Sequence, residues 1–275
     1  MAAMQRIDPK PASRPLPRHI VWDWNGTLQN DVQAAVNGIN RLLVQRGLPT
    51  VDIDRHRRVF SFPVRDYYTE LGFKLEQEDW SRLSRDFIDA FLADESRGLF
   101  HGTRPALETL HASGVAMSVL SASEQSTLEA SLDGHGLRRF FVEVKGLDNH
   151  GAASKVHLAE DLFARIGGPF DDVWLVGDTT HDKEVADAAG CNCLLLAGGY
   201  QSQERLLACG CPVLESVADV PGFFGIVPSA PLVAEISAEA PTSPSNSQYG
   251  REPGKRRARR SRPTTKSPPN GESTR

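Results

Sequence analysis

The chain has 275 residues, 40% apolar and 24% charged, which suffices for a packed core in one large domain or two small ones. Its formal charge of −4 is uneven: Met1 to Arg18 carries +3, Val227 to Arg275 carries +5, and the stretch between them carries −12. Such an acidic body is a poor binder of nucleic-acid backbones, no apolar run reaches the length of a membrane span, the start lacks the apolar stretch of a secretory signal, and four Cys make no disulfide scaffold, so a cytoplasmic protein is expected.

In chain order, residues 1–18 read as a flexible arm. His19-Ile20-Val21-Trp22 is a short apolar run ending at Asp23, the pattern of a buried strand. Leu28, Val32, Ala35, Val36, Ile39, Leu42 and Leu43 follow at helical spacing, and Gly47 stops that helix. Arg65 to Leu71 and Trp80 to Leu92 read as further helices, with few strand signals among them. From Pro105 the chain alternates. Helices are expected over Pro105–Ala112, Glu124–Leu132, Lys155–Ile166 and Glu184–Ala189. Strands are expected over Val115–Leu120, Phe140–Val144, Val173–Val176 and Cys193–Leu196. This alternation predicts an α/β fold: a Rossmann-like parallel sheet wrapped by helices, spanning 19–226, with a helical cap inserted at about 30–98. From residue 227 to 275 Pro, Ser, Thr, Ala and Arg dominate, and such a segment buries too little apolar surface to offset its ordering entropy. It reads as a disordered basic tail whose run Lys255–Arg262 is either a solvated stretch or a contact for an acidic partner.

In an open parallel sheet, ligands bind beyond the carboxyl ends of the strands. Three predicted strands end in polar residues: Asp23, Ser121 and Asp178. Asp23 precedes Trp24-Asn25-Gly26-Thr27, where Gly26 permits a tight turn whose amides can face an oxyanion. A carboxylate so placed can act as a nucleophile. Asp178 and Asp182 sit four residues apart at a strand–helix turn, and with Asp23 they form an all-oxygen set that favours Mg²⁺ over zinc. Ser121 and Lys155 are positioned to point at a phosphoryl group.

These stretches, Ile20-Val21-Trp22-Asp23-Trp24-Asn25-Gly26-Thr27-Leu28, Val119-Leu120-Ser121, Lys155, and Leu175-Val176-Gly177-Asp178-Thr179-Thr180-His181-Asp182, come in the order seen in the haloacid dehalogenase superfamily. The chain resembles its phosphoglycolate-phosphatase-like branch, and Phe62-Pro63-Val64-Arg65-Asp66-Tyr67-Tyr68 resembles that branch's cap. The resemblance implies a Mg²⁺-dependent phosphohydrolase acting on a small phosphorylated metabolite through an aspartyl phosphate. Asp23 would be the nucleophile. Asp23, the Asn25 backbone carbonyl and Asp178 would hold the metal, with Asp182 close by. Thr27, Ser121 and Lys155 would bind the phosphoryl oxygens, with Lys145 a rival for the lysine role.

One position departs from the pattern. The family's phosphatases usually carry Asp as acid–base two residues after the nucleophile, and here it is Asn25. An amide exchanges no proton at neutral pH. Either the leaving group needs little protonation, as in aryl or acyl phosphates, or a cap residue or His181 supplies the proton. The third reading is a catalytically weak or non-enzymatic phosphate- or partner-binding protein on the same scaffold. Asn25-Gly26 is also a deamidation-prone pair. Cys191, Cys193, Cys209 and Cys211 have spacings unlike common zinc sites and read as packing residues. His56, His101, His111 and His135 lie in polar surroundings and are expected at the surface; Tyr67, Tyr68 and Phe73 are either cap core or substrate contacts.

Overall fold

A computed structural model describes residues 15–147 and 155–227, with the side chains of Lys155 and Val156 outside that description. The first fourteen residues, the tail from 228 and the basic run Lys255–Arg262 lie outside it as well.

Strand β1 (His19–Trp22) is buried along its whole length, and its side chains alternate between two cores. Ile20 and Trp22 enter one apolar cluster, and Val21 enters the other across the sheet. His19 shares the Val21 side and meets the Ser118 hydroxyl at 2.9 Å. Next comes a two-residue strand, β2 (Gln29–Asn30), followed by four helices: α1 (Val32–Gln45), α2 (Ile53–Val59), α3 (Val64–Glu70) and α4 (Trp80–Leu92). Strand β3 (Gly98–Leu99) then returns and pairs antiparallel with β2. Beyond it run α5 (Thr103–Ala112), β4 (Ala116–Glu124), α6 (Gln125–Gly134), β5 (Glu143–Leu147), α7 (Lys155–Ile166), β6 (Val173–Gly177), α8 (Thr180–Ala189), β7 (Asn192–Leu196), α9 (Gln203–Leu207), β8 (Val213–Leu214) and α10 (Val220–Phe223).

The main sheet has the order β5-β4-β1-β6-β7-β8, and every pair in it is parallel. The expected α/β class and helix-wrapped parallel sheet are therefore present. Strand β1 lies between β4 and β6, so the chain departs from it in both directions, and ligand crevices form at such a switch point. Asp23, Ser121 and Asp178 accordingly come to one edge.

Several elements differ from expectation. Leu28 lies in a turn, not in the first helix; it joins the β1 core, and the helix starts at Val32. Strand β4 does not stop before Ser121 but continues to Glu124 through a register shift against β5. Phe140 and Phe141 are not strand residues: their amides turn back to Leu137 and Arg138, and the strand begins at Glu143. An apolar run that short suits a core-facing helical turn as well as a strand. Helix α2 carried no recognised signal, and His56 on it is not a surface residue but 1% exposed. The four helices form their own apolar cluster, in which Ile39, Leu42 and Leu43 meet Tyr67, Tyr68, Phe73 and Leu83. Among the described residues no helix is long and apolar enough to cross a membrane.

Candidate active site

The chain leaves β1 with the Asp23 amide still donating to the Val176 carbonyl at 2.8 Å, and the turn that follows is closed on Trp24, whose carbonyl accepts from the amides of Thr27, Leu28 and Gln29. Gly26 has φ of +72°, and a Cβ there would overlap the Asp178 carboxylate and the Tyr200 ring. Only glycine fits both the backbone conformation and that approach.

Asp178 follows β6 and is fully buried. Its Oδ1 accepts from the Thr27 hydroxyl at 2.8 Å and its Oδ2 from the Tyr200 amide at 2.6 Å. Asp182 folds back over the start of α8 in a capping box, accepting from the amides of Asp178 (3.1 Å) and Thr179 (3.0 Å) and from the Thr179 hydroxyl (2.7 Å). That fold-back needs Gly177, where a Cβ would overlap the Asp182 carboxylate. Asp23, Asp178 and Asp182 each present an oxygen within 4.8 Å of the others, and all three residues are buried. Burial, then the charges of Asp23 and Asp182, holds the Asp178 carboxyl well above the usual range. Three crowded carboxylates with no other donor type suit a hard divalent cation, whose charge removes that repulsion. Among the described residues this is the one such group, and the four cysteines are free, with Cys191, Cys209 and Cys211 packed around buried Cys193 in the second core.

Asn25 is fixed from both ends. Its Nδ2 donates to Asp31 Oδ2 at 2.5 Å, while its Oδ1 accepts from the hydroxyls of Ser123 (2.6 Å) and Ser121 (3.3 Å). Asp31 is wholly buried; its Oδ1 takes the Gly26 amide at 3.0 Å, and Tyr200 hydrogen-bonds it too. Burial pushes the Asp31 carboxyl up to about 7 against the opposing pull of those hydrogen bonds. Asp31, Ser123 and Tyr200 escaped the sequence reading. Asp31 stands directly before an apolar helix, the usual place of an N-cap, yet its side chain caps nothing on α1 and turns back to Asn25 and Gly26.

The remaining candidates fall as follows. Thr27 is buried, with its hydroxyl on Asp178. Ser121 is buried and accepts the Ser123 amide at 3.0 Å, and it is Ser123 that faces the cavity. Helix α7 begins at Lys155, but its side chain lies outside the described residues. Lys145 is paired with Asp161 of α7 at 2.6 Å.

Above Asp23 and Asn25 opens a cavity of about 270 Å³. Ser123, Thr179 and His181 complete its lower part, and the helical insertion supplies the upper wall through Phe60, Phe62, Tyr67, Tyr68, Phe87 and Phe91. Tyr67 and Tyr68 thus serve both as core of the insertion and as cavity wall, whereas Phe73 is core alone. His56 Nδ1 lies 2.7 Å from the Tyr67 hydroxyl, its Nε2 has no partner, and burial holds its pKa down at about 4. The wall is tied to the sheet: Gln201 donates to the Phe60 carbonyl at 3.1 Å and accepts the Thr180 amide at 2.8 Å, and Arg57 donates to the Gly199 carbonyl at 2.9 Å.

Residues 20–196 match the family of haloacid dehalogenase-like hydrolases. A phosphoglycolate phosphatase of Caulobacter vibrioides is 30% identical over 212 residues, covering 74% of this chain and 88% of that protein. The tyrosine-protein kinase PtkA of Mycobacterium tuberculosis is 26% identical over 191 residues, covering 67% of this chain, which spans 63% of that relative's length. Among solved structures, a haloacid dehalogenase-like family protein of Streptococcus pneumoniae superposes with a TM-score of 0.66 at 19% identity, covering 76% of this chain and 98% of the other. The chain belongs to the haloacid dehalogenase-like hydrolases.

Proposed function

We propose that the protein is a Mg²⁺-dependent phosphohydrolase that removes the phosphoryl group of a small phosphorylated molecule through an aspartyl phosphate on Asp23. The observation that carries this reading is the buried group of Asp23, Asp178 and Asp182 beneath a cavity large enough for a substrate. Mg²⁺ held by Asp23, Asp178 and the Asn25 backbone carbonyl, with Asp182 close by, would offset the negative charge between nucleophile and phosphoryl oxygens. Thr27, through its hydroxyl on Asp178, steadies that carboxylate. Ser121, Ser123 and Lys155 are assigned to the phosphoryl oxygens, and the helical insertion, about 30–98, acts as the cap that keeps water from the reacting centre. The four free cysteines suit a reducing compartment such as the cytoplasm.

Asn25 favours a second reading, a catalytically weak or non-enzymatic phosphate-binding protein. Its amide cannot pass a proton, and the loss of acid–base help lowers rates by roughly 10²–10⁴-fold. The test is phosphate release by the purified chain from a panel of esters, with Mg²⁺ and with excess chelator. Metal-dependent turnover supports the enzyme; phosphate binding without turnover supports the alternative.

A further inference from the structure

The cavity above Asp23 is walled almost entirely by apolar and aromatic side chains, and among its described lining residues there is no Lys or Arg. Its charged wall group is Glu124, whose carboxylate accepts from the amides of Ser126 (3.1 Å) and Thr127 (3.0 Å) and stays ionised. The polar groups higher on the wall carry no charge: Tyr67 and His56 are hydrogen-bonded to each other at 2.7 Å, and burial keeps the imidazole neutral at neutral pH. His181 at the rim has Nδ1 3.0 Å from the Glu184 carboxylate and its ring 4.9 Å from that of Phe62. Among the described lining residues, a second anionic group of a substrate would meet apolar rings or Glu124 and no fixed positive charge. Burying an unpaired carboxylate is strongly unfavourable.

The reacting end gives an independent constraint. By the resemblance, Asn25 takes the position of the acid that would protonate the leaving oxygen, and its amide is held between Asp31 and the two serines. A phenol ionises near pH of about 10, as Tyr does, whereas an aliphatic alkoxide is about as basic as hydroxide, whose conjugate acid has a pKa of about 15.7. Only the first departs readily without an acid. Size sets an upper bound: the cavity of about 270 Å³ falls just below the usual span of about 300 to 1,000 Å³ for ligand pockets, which limits the substrate to a small group of one or two rings.

We propose that the substrate is a monophosphate ester of an uncharged aryl alcohol, with its ring held among Phe60, Phe62, Tyr67, Phe87 and Phe91, and that a carboxylate-bearing ester such as phosphoglycolate is excluded. This rests on the phosphohydrolase reading above. In the first step an Asp23 oxygen bonds to phosphorus as the bond from phosphorus to the aryl oxygen breaks. The electron pair leaves with that oxygen as a phenolate, which takes a proton from solvent. Water then attacks the phosphoaspartate, releasing inorganic phosphate and restoring the Asp23 carboxylate.

The test compares four esters with the full chain and Mg²⁺: phenyl phosphate, 4-carboxyphenyl phosphate, benzyl phosphate and phosphoglycolate. The expected kcat/KM for phenyl phosphate exceeds that of the carboxyphenyl ester about tenfold, because of the added charge in an apolar site. It exceeds that of benzyl phosphate by about 10²-fold or more, because the leaving group departs in the step that forms the phosphoaspartate. Phe91→Lys should lower the phenyl rate and raise the relative rate on the two carboxylate esters. Affinity is read separately by calorimetry on Asp23→Asn, whose turnover should be too slow to interfere, and phenyl phosphate should bind more tightly than phosphoglycolate. Phosphoglycolate turned over or bound as well as phenyl phosphate overturns the aryl assignment while leaving the phosphohydrolase intact. Tight phenyl phosphate binding with no turnover of any ester by the parent chain upholds the recognition and overturns the hydrolase.

Discussion

The amide of Asn25 and the carboxylate of Asp31 form a 2.5 Å hydrogen bond inside the protein, six residues apart in the chain. The pair orders the amide: its nitrogen is spoken for by Asp31, so its oxygen must be the atom turned to Ser121 and Ser123. It also means that position 25 is not an independent site for substitution.

Asn25→Asp alone sets a second acidic group, partly buried, against the wholly buried Asp31 and removes the amide that donates to it. Its unfolding free energy should fall by roughly 1–3 kcal/mol, the range for an unsatisfied buried polar group. Adding Asp31→Asn restores a carboxylate–amide pair with the partners exchanged, and should recover stability. The double variant should also gain more on benzyl than on phenyl phosphate, since it now has an acid where an alkoxide needs one. Denaturant titration of the three proteins checks the first claim. An Asn25→Asp chain as stable as the parent would remove the argument.

Asp23→Asn should lower turnover by on the order of 10⁴-fold or more, the effect of losing a nucleophile. In the absence of metal its melting temperature should rise, because the charge of Asp23 is among those that disfavour ionised Asp178. With Mg²⁺ the order should reverse, the parent gaining more from the ion than the variant. Thermal melts with chelator and with Mg²⁺ give the comparison.

His56 is neutral in the folded chain, with its pKa lowered from 6.5 to about 4. Between those values the unfolded chain binds more protons than the folded one, so stability rises with pH across the window and is lost as pH falls from 6.5 towards 4. A shift of this size corresponds to roughly 3 kcal/mol at most. His19, also lowered to about 4 by burial, adds the same trend. His56→Leu should flatten the slope of stability against pH in that range whatever it does to stability at neutral pH. An unchanged slope would show that His56 does not contribute.

The Asn25-Gly26 pair should resist deamidation while folded. The attack requires the Gly26 amide nitrogen, and that N–H is held by Asp31 Oδ1 at 3.0 Å and by the Gln29 carbonyl at 2.9 Å. Peptide mass spectrometry on native and denatured samples aged together should find conversion at Asn25 in the denatured one alone. Conversion at equal rates would mean that the turn gives no protection.

What could be read from the sequence was set by local pattern. Asp23, Ser121 and Asp178 were legible because each follows an apolar run, and parallel topology carries such positions to one edge of the sheet. His56 was hidden by its charged neighbours Arg55, Arg57 and Arg58, although Ile53, His56 and Phe60 recur at helical spacing and mark the inward face. Asp31 was hidden because the helical spacing read from Leu28 placed it inside the first helix, which starts only at Val32. Ser123 and Tyr200 join the site through a register shift in β4 and a loop after β7, which no periodicity announces.

The strands β2 and β3 carry the chain into and out of the four helices as one antiparallel ribbon, and the Phe100 amide and Thr103 hydroxyl both fasten to the Leu28 carbonyl beside it. Asp31 lies at the very seam, one residue beyond the ribbon and immediately before α1. The carboxylate that holds the Asn25 amide therefore sits where the chain passes from the sheet into the helices that roof the cavity, so a substitution in the ribbon or at the start of α1 is expected to be felt at the amide as well.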